Sequence, residues 1–212
     1  MSYRSSRSNN IAPILALIIL CFLVYIASIL PRFVGSLNYN IVTLFGLQTE
    51  TFLRHPWTIV TNLFVHDPRS IWHLLFNMIT LYFFGSFLLR LVGTRTFLVI
   101  YFLGGIAGNI FFMLFAILMD SIFMDPRLLF ATVVGASGAI FALGGTLAVL
   151  TPKLRVFVFP IPAPMPLWVA VIGGFVIVSF VGGIAWQGHL GGIVTGLIAG
   201  LILRRGVRTP LS

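Results

Sequence analysis

Charge is scarce in this chain. Charged residues make up 8% of the 212, and only four are acidic: Glu50, Asp67, Asp120 and Asp125. A soluble domain carries roughly 25% charged residues. With 59% hydrophobic residues and a mean hydropathy of +1.09, no water-soluble surface can be assembled. Cysteine is scarcer still. Cys21 stands alone in an apolar run, which excludes an intramolecular disulfide and a thiolate metal cluster. The net charge of +9 does not point to nucleic acid, because the basic residues form no continuous patch and fall at the ends of apolar segments. The solvent is therefore a lipid bilayer, and the spanning segments must be helices that satisfy their own backbone polar groups.

Charges and prolines divide the chain. Arg4 and Arg7 precede a charge-free run from Ile11 to Leu30 that ends at Pro31 and Arg32. About 20 residues at 1.5 Å each cross about 30 Å of hydrocarbon. That is longer than the apolar region of a signal peptide, so this run is read as an uncleaved first span. Residues 33–69 are too polar to span, with Asn38, Asn40, Gln48, Glu50, Arg54, His55 and Asp67. Trp57, Val60, Leu63 and Phe64 recur at helical spacing, which predicts a membrane-associated outer loop containing an interfacial amphipathic helix. Further charge-free runs are Ser70–Leu89, Thr96–Met119 and Leu128–Leu150. The stretch Val156–Leu203 is too long for one span. Pro160, Pro162, Pro164 and Pro166 and a turn at Gly182-Gly183 leave spans near Leu167–Val181 and Gly188–Leu203.

The expectation is an all-α, polytopic membrane bundle of six transmembrane helices. Residues 11–204 form the core, between short cytoplasmic tails at 1–10 and 205–212. An internal N-terminus puts nine basic residues inside (Arg4, Arg7, Arg90, Arg95, Lys153, Arg155, Arg204, Arg205, Arg208). Arg32, Arg54, Arg69 and Arg127 fall outside with all four acids. This positive-inside bias sets both termini in the cytoplasm of a cell membrane.

Within the spans the costly residues are His73 and Asn77 on the second and His189 on the sixth, and an ionisable group there marks a functional site. Ser137 lies on the fourth, in Gly135-Ala136-Ser137-Gly138. Counted from the cytoplasmic charges, Ser137 and His189 stand about 21–23 Å above the inner boundary, and His73 and Asn77 bracket that level at about 25 and 20 Å. One layer thus holds them all. Gly188, Gly192, Gly196 and Gly200 repeat every fourth residue, and Gly138, Ala142, Gly144, Gly145 and Ala148 offer a matching surface for close helix approach. A neutral histidine can take the serine proton, and Asn77, His73 and the backbone N–H of Ser137 are candidate oxyanion donors. No carboxylate shares the layer, so the pattern suggests a Ser–His dyad. Nothing in it calls for a metal or cofactor. A bis-histidine haem on His73 and His189 would leave Ser137 and Asn77 without a role, and ion-coupled transport lacks an intramembrane carboxylate. His55 and His66, in the outer loop, are read as structural.

Three segments together carry a family likeness: His73-Leu74-Leu75-Phe76-Asn77-Met78, Gly135-Ala136-Ser137-Gly138, and Gly188-His189-Leu190-Gly191-Gly192 with Gly196 and Gly200. In this order the chain resembles the rhomboid intramembrane proteases over nearly its whole length. The resemblance implies Ser137 as nucleophile, His189 as general base, and His73 and Asn77 at the oxyanion hole. It further implies an outward-opening, water-accessible cavity and single-span transmembrane proteins as substrates, cleaved near the outer membrane boundary. A catalytically silent relative that binds membrane proteins is the alternative. Two positions depart from the family pattern: Trp57 is followed by Thr58 rather than Arg, and Phe141 stands where Tyr is common. Oligomeric state is left open.

Overall fold

The structure, a computed structural model, describes residues 10–34, 37, 39–158, 161–179 and 185–204. The tails with Arg4, Arg7, Arg205 and Arg208, together with Asn38, Pro160, Val181 and the Gly182-Gly183 turn, lie outside the described residues. The architecture is a multi-pass helical membrane bundle. The long helices are α1 (Ala12–Ile29), α4 (Ile71–Val92), α5 (Thr94–Phe123) and α8 (Trp186–Leu203), each long and apolar enough to cross a membrane. Two shorter apolar helices, α6 (Ser137–Leu150) and α7 (Leu167–Ser179), complete the set, and α2 (Ile41–Phe45) and α3 (Thr58–Thr61) lie between α1 and α4, in the loop expected on the outer side and called the outer loop below.

The run Leu128–Leu150 was expected to span, but only its second half is helical. After a 3-10 turn at Pro126–Leu128, residues 129–136 descend as non-helical chain, and the 14-residue α6 begins at Ser137. The β-branched Thr132-Val133-Val134 favours extended backbone, and Gly135 adopts φ +121°, which ordinary residues avoid. Such backbone is tolerated at membrane depth only where protein satisfies it. Here β1 (Leu47–Gln48) pairs antiparallel with β2 (Thr132–Val133), Glu50 N donates to Leu129 O, and Gln48 Nε2 donates to Phe130 O. A second short ladder joins β3 (Arg155–Val156) to β4 (Met165–Pro166) on the far side.

In the outer loop the segment that carries Trp57, Val60, Leu63 and Phe64 is helical, as α3 runs directly into a 3-10 turn at Asn62–Phe64. Gly46 and Pro56 lie between this segment and α2, and keep the two as separate short helices. Asn40 caps α2 by accepting from Val42 N and Thr43 N. Trp57 Nε1 donates to Leu44 O, and Thr58 is buried with its hydroxyl donating to His55 O. The loop is therefore anchored without an arginine after Trp57.

At 30 residues α5 is about 45 Å long, beyond the predicted Thr96–Met119, and carries Asp120 in its last turn. Gly93, with φ +83°, makes the tight turn from α4 into α5. A stripe of Ile14, Leu17, Cys21 and Tyr25 buries one side of α1 against the core, while Ile19, Leu23 and Ile26 face outward for lipid. Three ion pairs occur among the described residues, Arg54–Glu50, Arg69–Asp67 and Arg127–Asp125; each arginine is exposed, so they add little stability.

The centre is the contact of α6 with α8. A Cβ on Gly192 would collide with the carbonyl oxygen of Gly138, and one on Gly196 with that of Ala142. On Gly145 it would lie 2.8 Å from Ile193 O, and on Gly200 2.7 Å from Val149 Cβ. Thr146 Oγ1 donates into this seam, 3.0 Å from Gly196 O and 2.9 Å from Ala142 O. Gly144, expected on the same surface, instead faces Phe84 and Val171. The geometry separates two kinds of glycine. Gly192→Ala should destabilise by about 1–3 kcal/mol, as overpacking does. Gly174→Ala, on α7 with nothing within 4 Å, should be neutral or slightly stabilising. Thermal unfolding in detergent compares the two, and equal effects would contradict the packing described.

Candidate active site

Ser137 is the first residue of α6, so the turn before it decides where its hydroxyl points. Gly135 supplies that turn, and its N–H donates to Asn62 O at 3.0 Å. Three residues before His189, α8 starts at Trp186. Since the α6–α8 backbones touch, the upper ends of both helices are held together. Ser137 Oγ and His189 Nε2 stand 2.7 Å apart. His189 is buried, and its Nδ1 has no hydrogen-bond partner among the described residues. Below its ring lies Phe141, with centroids 4.7 Å apart, and Phe141 in turn meets Phe175 of α7 edge-on. The aromatic ring thus supports the imidazole without a hydroxyl.

His73 arrives from α4. Ser70 caps that helix, its hydroxyl accepting from His73 N, and Asp67 N donates to His73 Nδ1 at 3.4 Å. A ring whose Nδ1 accepts carries its proton on Nε2. That Nε2 lies 3.0 Å from where a Cβ on Gly135 would sit, and Ser137 Oγ lies 3.7 Å from the same point. Gly135 is thus a cradle between the two groups, kept open by the missing side chain. Asn77, one turn below, is buried and donates through Nδ2 to His73 O at 2.7 Å. The structure therefore brings Ser137, His189 and His73 to one place, with Asn77 on the same face of α4. Gly192, Gly196 and Gly200 form the seam beneath.

One buried amide pair here belongs to no motif singled out from the sequence. Asn109, midway along α5, is buried and exchanges amide hydrogen bonds with Asn62. An amide in a charge-free span was the signal, of the same kind that marked Asn77. His66, expected to be structural, is fully buried with its ring 5.3 Å from that of His73.

A model of the family described as "Rhomboid domain" matches residues 53–206, most of the chain and the whole of this site. The chain belongs to the rhomboid family. It is similar to "Rhomboid protein 1, mitochondrial" of Saccharomyces cerevisiae, 29% identical over 175 residues, covering 76% of this chain and 46% of that protein. It is likewise similar to "Rhomboid protease GluP" of Bacillus subtilis, 29% identical over 172 residues, 80% of this chain and 31% of that protein. "RHOMBOID-like protein 12, mitochondrial" of Arabidopsis thaliana is 32% identical over 162 residues, 70% of this chain and 47% of that protein. This rhomboid chain thus spans between about a third and a half of the length of the curated relatives it matches.

Burial, reinforced by the neighbouring His73 ring, pushes the His66 imidazole down to about 3. In the unfolded chain the group titrates near 6.5. As pH falls below that value the unfolded chain takes up a proton that the native loop excludes, so stability declines toward acid. The wild-type thermal midpoint should therefore drop between pH 7 and pH 4, and His66→Gln should flatten the drop. An identical pH dependence in the variant would mean that His66 is not held as a buried neutral ring.

Proposed function

We propose that this rhomboid chain is an intramembrane serine endopeptidase working with a Ser137–His189 dyad. The observation that carries the reading is the 2.7 Å contact between Ser137 Oγ and His189 Nε2 at the touching ends of α6 and α8. His189 Nε2 takes the hydroxyl proton as Oγ bonds to the scissile carbonyl carbon. The developing oxyanion faces the N-terminus of α6, whose first N–H groups have no intrahelical acceptor. His73 Nε2–H and Asn77 are the side-chain donors in the proposal. Collapse breaks the C–N bond, and His189 returns its proton to the leaving amine. Water then attacks the acyl ester with the same base, releasing the acid and restoring Ser137.

A peptide bond inside a helix is hydrogen-bonded and shielded. Single-span proteins with small or helix-breaking residues near the outer boundary fit this site best, because they unwind at least cost. The relative named as a protease, GluP, supports activity of this class. The basic residues favour both termini on the cytoplasmic side of a cell membrane.

Fluorophosphonate labelling tests the chemistry, since the reagent phosphonylates a serine, with loss of fluoride, only where a base activates it and donors accept the oxyanion. Ser137 should carry the adduct, and His189→Ala should lose it although Ser137 remains. Ser137→Ala should abolish cleavage of a transmembrane substrate. Folded wild-type protein that resists several such reagents would instead be a silent, substrate-binding member. Orientation is read separately in a Cys21→Ser background. Asp125→Cys and Lys153→Cys should react with an impermeant thiol reagent from opposite sides, and same-side reaction would break the six-span reading.

A further inference from the structure

A buried polar cluster outside the dyad ties three segments to one another. Asn62 Nδ2 donates to Asn109 Oδ1 at 3.0 Å, and Asn109 Nδ2 donates to Asn62 Oδ1 at 2.8 Å. Asn109 Nδ2 also donates to Ile59 O at 2.8 Å. Asn62 has no exposed surface and Asn109 only 5%. Both amides are thereby paired within the protein. On the other side of Asn62 its backbone carbonyl accepts from Gly135 N at 3.0 Å. The neighbouring residues permit the approach: a Cβ on Gly105 of α5 would sit 2.7 Å from Leu63 and 3.3 Å from Ala139 Cβ.

We propose that Asn62 and Asn109 are positioning residues for Ser137. Their reciprocal amide pair clamps the outer loop to α5, so that the Asn62 carbonyl holds the Gly135 turn in the conformation that presents the hydroxyl to His189. The catalytic consequence rests on the protease reading; the clamp itself does not. The physical argument is one of available partners. The segment before α6 has no helix to satisfy its N–H groups, and Gly135 at φ +121° is free to relax unless something fixes it. A loop carbonyl can do so only if the loop itself cannot move. Apolar contact in lipid gives little driving force for holding a loop in place, whereas a closed amide pair is directional.

Removing one amide leaves the other buried and unpaired, whereas replacing both with apolar groups can leave stability nearly unchanged. Asn109→Ala should lower kcat by about 10- to 100-fold with KM little changed, as small displacements of a reacting group do. Asn62→Leu/Asn109→Leu should recover most of the thermal stability lost in the single variant but not its kcat. Activity that tracks stability through all these variants would reduce the pair to a purely structural element. Hydrogen exchange read by mass spectrometry supplies a measurement independent of turnover. In Asn109→Ala the peptide covering 131–136 should exchange at least about tenfold faster than in wild type, while α1 peptides should not change. Unchanged exchange at 131–136 in the folded variant would overturn the clamp. Wild-type protein that neither cleaves nor labels would sink the protease reading, and the exchange comparison would still decide the clamp.

Discussion

The fold depends on two helices approaching until their backbones touch. The carbonyl oxygens of Gly138 and Ala142 occupy the space that side chains on Gly192 and Gly196 would need. In lipid, apolar side chains gain little by leaving the solvent, so helix association rests on close packing and on interhelical hydrogen bonds. Both appear here, the second as the Thr146 hydroxyl shared between Ala142 O and Gly196 O. The functional consequence is a matter of reach. Serine is short, and a histidine on the next helix meets it at 2.7 Å only if the two helices run at this separation. A single β-carbon in the seam would widen the spacing, and the proposed proton transfer would lose its geometry before any reacting group had been altered.

The second constraint is the late start of α6. Had the helix begun at Leu128, Ser137 would sit in its third turn and its N–H would be bonded to a carbonyl one turn back. Beginning at Ser137 instead leaves the first N–H groups and the positive end of the helix dipole beside the hydroxyl. The non-helical chain above it then needs partners, which are supplied by the β1–β2 ladder, Glu50 N and the Asn62 carbonyl. The outer loop, which looks peripheral in sequence, thus satisfies the backbone that the early helix would have satisfied itself.

Much of this was legible because a membrane converts residue counts into depth. Basic residues mark the boundary, the rise per residue is fixed, and polar side chains are rare enough to stand out. Those three facts placed Ser137, His189, His73 and Asn77 in one layer, and the four-residue glycine period placed Gly192, Gly196 and Gly200 against α6. The misses have equally physical origins. Hydropathy over Leu128–Leu150 is blind to backbone conformation, so a buried extended segment and a helix read alike. The Gly144-Gly145 pair puts small residues on two faces, and only packing shows that Gly145 meets α8 while Gly144 meets α4 and α7. Asn109 was passed over because it belongs to no recognised motif, although its burial cost is that of any amide in a span. His66 is buried as a structural residue would be, but its loop position gives no depth, because depth is counted from a helix end.

The proposed base, His189, has no acid behind it and must be oriented in some other way. His189 Nδ1 has no partner among the described residues, and all four carboxylates of the chain lie in the outer loops or the last turn of α5. What bears on the imidazole is largely apolar and geometric: the Phe141 ring tilted against it with centroids 4.7 Å apart, α8 immobilised by its seam, and Ser137 across the gap. An aromatic face restricts ring tilt without fixing a tautomer, so the orientation is set by shape rather than by charge. This suits a site inside lipid. A buried carboxylate would bring a desolvation cost that only a compensating charge could offset, whereas a phenyl ring brings none. Phe in place of a hydroxyl-bearing Tyr is consistent with that logic, because the ring supports the base and leaves no further buried polar atom to satisfy.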